Sequence, residues 1–179
     1  MRRTSRIPRV AVLAALAALA LLPTATAQAG GGLSTNSSPT VAGSKAKLVK
    51  GKAVAPADAP RRVQKVIAAA NRIRNKPYVW GGGHGNWKDK GYDCSGAVSY
   101  ALHGGALLEA PLVSGSFAGW GEPGPGSWIT IYANRAHVYA VIAGLRWDTG
   151  GDAPGVTGPR WHTEMASARG FAVRHPSGY

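Results

Sequence analysis

Two runs, Pro77-Tyr78-Val79-Trp80-Gly81-Gly82 and Tyr92-Asp93-Cys94-Ser95-Gly96, decide the reading, and Ala136-His137-Val138 opens an apolar stretch downstream of them. Cys94 is the single cysteine among 179 residues. A lone thiol has no internal disulfide partner, so in an exported chain it is a reactive group or an intermolecular link. Cysteine first, histidine second and glycines around the nucleophile form the order expected of a cysteine hydrolase.

Asp93 is a favourable N-cap residue, which predicts a helix starting at Cys94. Val98, Ala101 and Leu102 would face inward, and Gly104-Gly105 would end it. The thiol then sits at a helix N-terminus, where partial positive charge favours the thiolate. The opposing reading is an inert buried cysteine, since free cysteine is among the most buried residue types. The capping acid, the helix start and the isolation of Cys94 favour catalysis.

A thiol that attacks an amide needs a base, and that base must later protonate the leaving amine. His137 opens a predicted strand and fills this role. A third polar group should orient the imidazole. Asp148, eleven residues on, reaches a neighbouring strand if a tight turn at Gly144 reverses the chain. His162 is the alternative. His84 reads as a solvated loop residue, His103 as a helix-end residue and His175 as a surface residue. No second cysteine or close His–His spacing supports a zinc site, so no metal or other cofactor is expected. No Gly-x-Ser-x-Gly elbow supports a seryl nucleophile.

Outward from this centre, apolar Val63, Val66, Ile67, Ala70 and Ile73 recur at helical spacing and predict a helix over 61–75, started by Asp58 or Pro60. Glycines 81, 82, 83, 85 and 91 mark a loop that folds closely around a cleft. Residues 106–127 read mostly as loop, with Trp120 either a cleft wall or a core residue. Trp128–Tyr132 and His137–Ala143 predict an antiparallel hairpin, Leu145–Asp148 a third strand and Phe171–Arg174 the last. Helices followed by a run of strands imply an α+β fold.

Residues 1–29 read as a secretory signal peptide. Arg2, Arg3, Arg6 and Arg9 precede the apolar run Val10–Leu22, and Ala27-Gln28-Ala29 supplies a cleavage pattern. The apolar run is too short for comfortable membrane spanning, so no stable membrane insertion is expected. Residues 30–60 contain no aromatic residue and read as a flexible basic linker. Residues 61–179 remain as one domain.

Without residues 1–29, 17 basic residues face 8 acidic ones. Twelve of the 17 lie between Lys45 and Lys90. Such a field attracts polyanions. For an exported protein these are anionic wall polymers or acidic membrane surfaces. Nucleic acid is not expected, because the basic run lacks interleaved aromatics and any nucleic-acid-binding motif.

The two runs and Ala136-His137-Val138, with Gly144 closing the strand, resemble the NlpC-type family of papain-like cell-wall cysteine peptidases. The resemblance spans about residues 61–150. It implies an α+β domain with N-terminal helices packed on an antiparallel sheet. It also implies hydrolysis of peptidoglycan stem peptides, typically between D-glutamate and a diamino acid, through a thioester. Cys94 would be the nucleophile, His137 the base and Asp148 the orienting group. Tyr78 would line the oxyanion region, and Asp93 with Ser95 would contact substrate. The protein would be secreted and associated with the cell wall, with bacterial peptidoglycan as partner. A CHAP-like N-acetylmuramoyl-L-alanine amidase and a non-catalytic cationic wall-binding module are the alternatives. Three differences from the family are visible. Asp148 stands where histidine is frequent, the segment between Tyr78 and Cys94 is longer than in compact members, and the first strand, preceded by Gly126-Ser127, lacks the acid commonly found at its start.

Overall fold

The computed structural model describes residues 39–151 and 156–179. The expected signal peptide over 1–29, and residues 30–38 of the expected linker, lie outside these.

Helix α1 covers Arg61–Ile73 and buries Val63, Val66, Ile67, Ala69, Ala70 and Ile73. These recur three and four residues apart, so one stripe carries the burial. Pro60 stands at the N-cap without a side-chain cap. Helix α2 covers Cys94–Gly104, with Asp93 as N-cap. The two helices approach closely because glycines stand at the contact. A Cβ on Gly104 would lie 2.2 Å from Ala69 Cβ, and one on Gly105 would lie 2.4 Å from Val66 Cγ2. Gly104-Gly105 therefore permits helix packing as well as ending α2.

The segment 106–127 is mostly irregular but contains a short helix, α3, Ser114–Phe117. Five strands then follow α3 and a short strand at Glu122–Pro123. These are Ile129–Ala133, Val138–Ile142, Leu145–Asp148, Arg160–His162 and Ala172–His175. They are numbered β4 (Glu122–Pro123) and β5 to β9, and together make a six-stranded sheet in the order β4-β9-β5-β6-β7-β8. All of its pairings are antiparallel. The β5–β6 hairpin and the strand β7 coincide with the β-branched and aromatic runs of the sequence; β8 has no such run.

The β6–β7 turn positions the site. Ile142 pairs with Leu145, which leaves the two-residue connection Ala143-Gly144. Both residues have positive φ, 47° and 86°. Such a turn matches the right-handed twist of the flanking strands. It fixes the register Ala140↔Trp147, and one step further places Tyr139 across from Asp148. Trp147 is fully buried and donates from Nε1 to the Ala97 carbonyl at 3.1 Å, fastening β7 to α2.

The linker expectation for 30–60 fails from residue 40 onward. Thr40–Val41, Lys47–Val49 and Lys52–Pro56 form strands β1, β2 and β3 of a three-stranded sheet ordered β1-β3-β2. Lys50 and Gly51, at φ 48° and 73°, make a two-residue hairpin turn. Ala46, Ala53, Ala55 and Ala59 join the core. Asn71 of α1 ties this sheet in. Its Nδ2 donates to the Ala53 carbonyl at 2.8 Å, and its Oδ1 accepts from Ala53 N and Trp161 Nε1, both at 3.0 Å. Ala46 N also donates to the Ala143 carbonyl at 2.9 Å, within the β6–β7 turn. Small alanines, rather than large side chains, fill this interface. That is why composition alone suggests disorder.

Candidate active site

Asp93 Oδ1 accepts the Gly96 backbone N–H at 2.7 Å, satisfying one orphan donor at the start of α2. Its Oδ2 accepts the Gly81 N–H at 3.1 Å. One carboxylate thus joins the glycine loop to the helix that carries Cys94. The backbones nearly touch: a Cβ on Gly96 would stand 2.0 Å from the Gly82 carbonyl oxygen. The glycine following Cys94-Ser95 is a steric requirement of this contact.

Cys94 is mostly buried. Its Sγ lies 3.7 Å from Ser114 Oγ on α3. Burial pushes the thiol pKa up. Hydrogen bonding from His137, Ser114 and the Val138 N–H, with the imidazole charge, outweighs burial and brings it below the ordinary value.

His137 is held at the mouth of the β5–β6 hairpin. Asn134 Oδ1 accepts both the Ala136 and His137 backbone N–H groups at 2.9 Å. The His137 Nε2 donates to Asp148 Oδ1 at 2.8 Å, and the same side chain hydrogen-bonds with Cys94. The hydrogen bond to Asp148 and then that with Cys94 raise the imidazole pKa; burial opposes them, and their charges add. The result is about 10 against 6.5. A thiol lowered and an imidazole raised by the same contact favour passage of the thiol proton to the ring.

Asp148 ends β7 with its side chain only 5% exposed. Oδ1 also accepts from Thr149 N at 2.7 Å and Gly150 N at 3.2 Å, while Oδ2 lies 3.6 Å from Arg146 Nε. These contacts fix the position of the carboxylate. His162, the alternative third group, sits on β8 opposite Arg146. Asp148 is the residue hydrogen-bonded to His137.

Tyr78 forms a parallel bridge with Tyr92 and is 36% exposed. Burial raises its hydroxyl pKa first, followed by the charges of Cys94 and Asp93, which places it beside both. Asp93 and Ser95, the expected substrate contacts, hydrogen-bond to each other and to a loop histidine. Ser95 Oγ donates to Asp93 Oδ1 at 3.0 Å, and both residues are turned toward His84. The imidazole Nε2 lies 3.1 Å from Asp93 Oδ1 and 3.1 Å from Ser95 Oγ. His84 is therefore part of the network, not a solvated loop residue. A lone histidine among glycines gives no periodic signal that would reveal this.

The other residues set aside from sequence have structural partners. His103 stacks on Trp87 at 4.0 Å and its Nδ1 meets the Leu108 carbonyl. His175 is half-buried, with Nδ1 at the Gly124 carbonyl and Nε2 3.5 Å from Glu122. Trp120 packs edge-on against buried Phe117 at 5.7 Å and so belongs to the core margin. Among the described residues no group of three or more His, Cys, Asp or Glu is placed to hold a metal. No described helix is long and apolar enough to cross a membrane. A separate groove of about 700 Å³ runs between β3 and α1, edged by Lys52, Arg61, Lys65, Arg72 and Arg74.

No family model matches the sequence, and no curated protein does. Solved structures do. The peptidoglycan hydrolase RipB from Mycobacterium tuberculosis aligns at 24% identity with a TM-score of 0.53, covering 68% of this chain and 70% of that one. RipD from the same organism, described as a non-catalytic NlpC/p60 domain protein adapted to peptidoglycan binding, aligns at 19% identity with a TM-score of 0.49. That alignment covers 65% of this chain and 98% of RipD. The resuscitation promoting factor interacting protein RipA aligns at 25% identity and TM-score 0.48, over 64% of this chain and 62% of RipA. The likeness to RipB shows the fold. Two helices on an antiparallel sheet make it α+β, as the resemblance in the sequence implied.

Proposed function

We propose that this chain is a secreted, cell-wall-associated NlpC/p60-type cysteine endopeptidase that hydrolyses peptidoglycan stem peptides. The observation that carries the reading is the arrangement of Cys94 at the start of α2, His137 beside its thiol and Asp148 on the far imidazole nitrogen. The order matches the requirement for a nucleophile, a base and an orienting group.

The Cys94 thiolate attacks the scissile carbonyl carbon, and the carbonyl π electrons move to its oxygen. The Cys94 backbone N–H at the helix start and the Tyr78 hydroxyl are the donors assigned to that oxyanion. As the tetrahedral intermediate collapses, the C–N bond breaks and the His137 imidazolium gives its Nδ1 proton to the departing amine. A thioester remains on Cys94. Neutral His137 then removes a proton from water, the hydroxide oxygen bonds to the carbonyl carbon, and the C–S bond breaks. The acid leaves and the thiolate–imidazolium pair returns. Asp148 keeps the ring in one tautomer throughout and stabilises its charged form.

The assigned bond joins the D-glutamyl side-chain carboxyl to the diamino acid. Export through residues 1–29 brings the enzyme to that substrate, and its basic surface favours retention at an anionic wall. Purified protein lacking residues 1–29 is expected to release soluble fragments from isolated walls. Cys94→Ser and His137→Ala should abolish release. Full activity in either variant would overturn the assignment. Fragment masses identify the bond: cleavage between muramic acid and L-alanine would make the protein an amidase instead.

A further inference from the structure

We propose that His84 is a positioning residue that sets the reactivity of Cys94 by holding Asp93, the residue immediately before it. The geometry is a closed clamp. Asp93 Oδ1 receives His84 Nε2, Ser95 Oγ and Gly96 N, while Oδ2 receives Gly81 N. Each oxygen of an ionised carboxylate offers about two acceptor sites, so Oδ1 is saturated within the protein while Oδ2 keeps one. The Asp93 backbone N–H also donates to the Gly82 carbonyl at 3.2 Å. Of the loop side chains between Gly81 and Gly91, His84 is the one hydrogen-bonded to residues at the start of α2.

The backbone clamps could hold the helix start alone. What the imidazole adds is a proton directed at the carboxylate. Asp93, the N-cap of α2, stands one residue before the Cys94 thiol, and Tyr78 lies within the field of both. A carboxylate so placed opposes ionisation of the thiol, whereas a hydrogen bond that draws on its charge relieves that opposition. The side chains of His84 and Asp93 are only 22% and 12% exposed, so water screens the effect weakly. The other ionisable groups facing the sulfur are Tyr78 and His137, with Asp148 behind the imidazole. Substitution of His84 leaves all three in place.

The inference uses the nucleophile assignment for its meaning, but its test reads the thiol directly. The rate of Cys94 alkylation by iodoacetamide, followed by intact mass between pH 5 and 10, is measured in full-length mature protein, His84→Ala and His84→Gln. Gln keeps an N–H donor near the position of Nε2. His84→Ala is expected to slow alkylation at pH 7 by about three- to tenfold and to move its midpoint up by about 0.5–1 pH unit. His84→Gln should recover most of that loss. On wall peptides, kcat should fall in His84→Ala while KM changes little. Melting temperature identifies unfolded variants, and His84→Gln supplies the folded comparison if Ala does not fold.

An alkylation profile unchanged in His84→Ala, or one that Gln does not restore, would overturn the proposal. If alkylation shifts as expected but no variant or parent cleaves wall peptide, the positioning role stands and the hydrolase reading falls. Cleavage without any shift in alkylation leaves the hydrolase reading standing and removes the role given to His84.

Discussion

Replacing Asp148 with Asn tests the charge on the imidazole without disturbing its aim. Asp148 Oδ1 is held by the Thr149 and Gly150 N–H groups, so an Asn carbonyl would occupy the same place and still accept from His137 Nε2. Only the negative charge, and the ion pair to Arg146, would disappear. The rise of the imidazole from 6.5 to about 10 corresponds to about 5 kcal/mol in favour of its charged form. The ring is a third exposed, and screening by water reduces this to roughly half. Asp148 is the largest contributor, which leaves it about 2 kcal/mol, or about 1.5 pH units.

The alkaline limb of kcat/KM should therefore move down by about 1.5 pH units in Asp148→Asn, and well above the parent's limb the variant should lose about thirtyfold. The same proton links to folding. A raised folded-state value means that the stabilisation is whole below pH 6.5 and is lost as pH climbs through about 10. That slope should flatten in the variant. The assay is hydrolysis of a soluble stem peptide between pH 5 and 11, with urea midpoints taken at the same pH values. An alkaline limb that does not move in a folded variant would refute the electrostatic role given to Asp148.

Three further outcomes follow from the packing. Gly96→Ala places a Cβ 2.0 Å from the Gly82 carbonyl oxygen; the backbone must yield, at about 1–3 kcal/mol, read as a lower melting temperature with slower Cys94 alkylation. Asn71→Ala leaves Ala53 N–H and C=O and Trp161 Nε1 without their partner, and a loss of about 2–3 kcal/mol is expected in chemical denaturation. Charge reversal at Lys65 and Arg72, on the edge of the β3–α1 groove, should weaken sedimentation with isolated walls at low salt and leave soluble-peptide hydrolysis unchanged. The difference should vanish by about 0.5 M salt, where exposed charges are screened.

Local chemistry explains which features are legible in the sequence. Asp93 caps the helix that begins at Cys94, and both partners of that interaction lie within three residues. The stripe of α1 is periodic, β-branched and aromatic runs mark β5 to β7, and Gly144 marks the turn that brings Asp148 back to His137. Features built from small or distant residues are hidden. Strand β3 and the residues flanking the small sheet bury alanines instead of large side chains, so their segment has the composition of a linker. Strand β8 is three residues long, too short for a pattern. His84 meets Asp93 across nine residues of glycine-rich chain, and Ser114 reaches Cys94 from a four-residue helix. Neither meeting leaves a trace in spacing.

The Ala143-Gly144 connection has a consequence for how such a site tolerates change. Side chains alternate across a pleated strand, so slipping the β6–β7 ladder by a single position would carry Asp148 to the reverse side of the sheet. Lengthening this bend by one residue would leave every catalytic letter of the sequence intact and still disconnect the acid from the ring. Loop length is thus as much a part of the triad's specification as residue identity, and insertions here should be far less permissible than in the glycine loop.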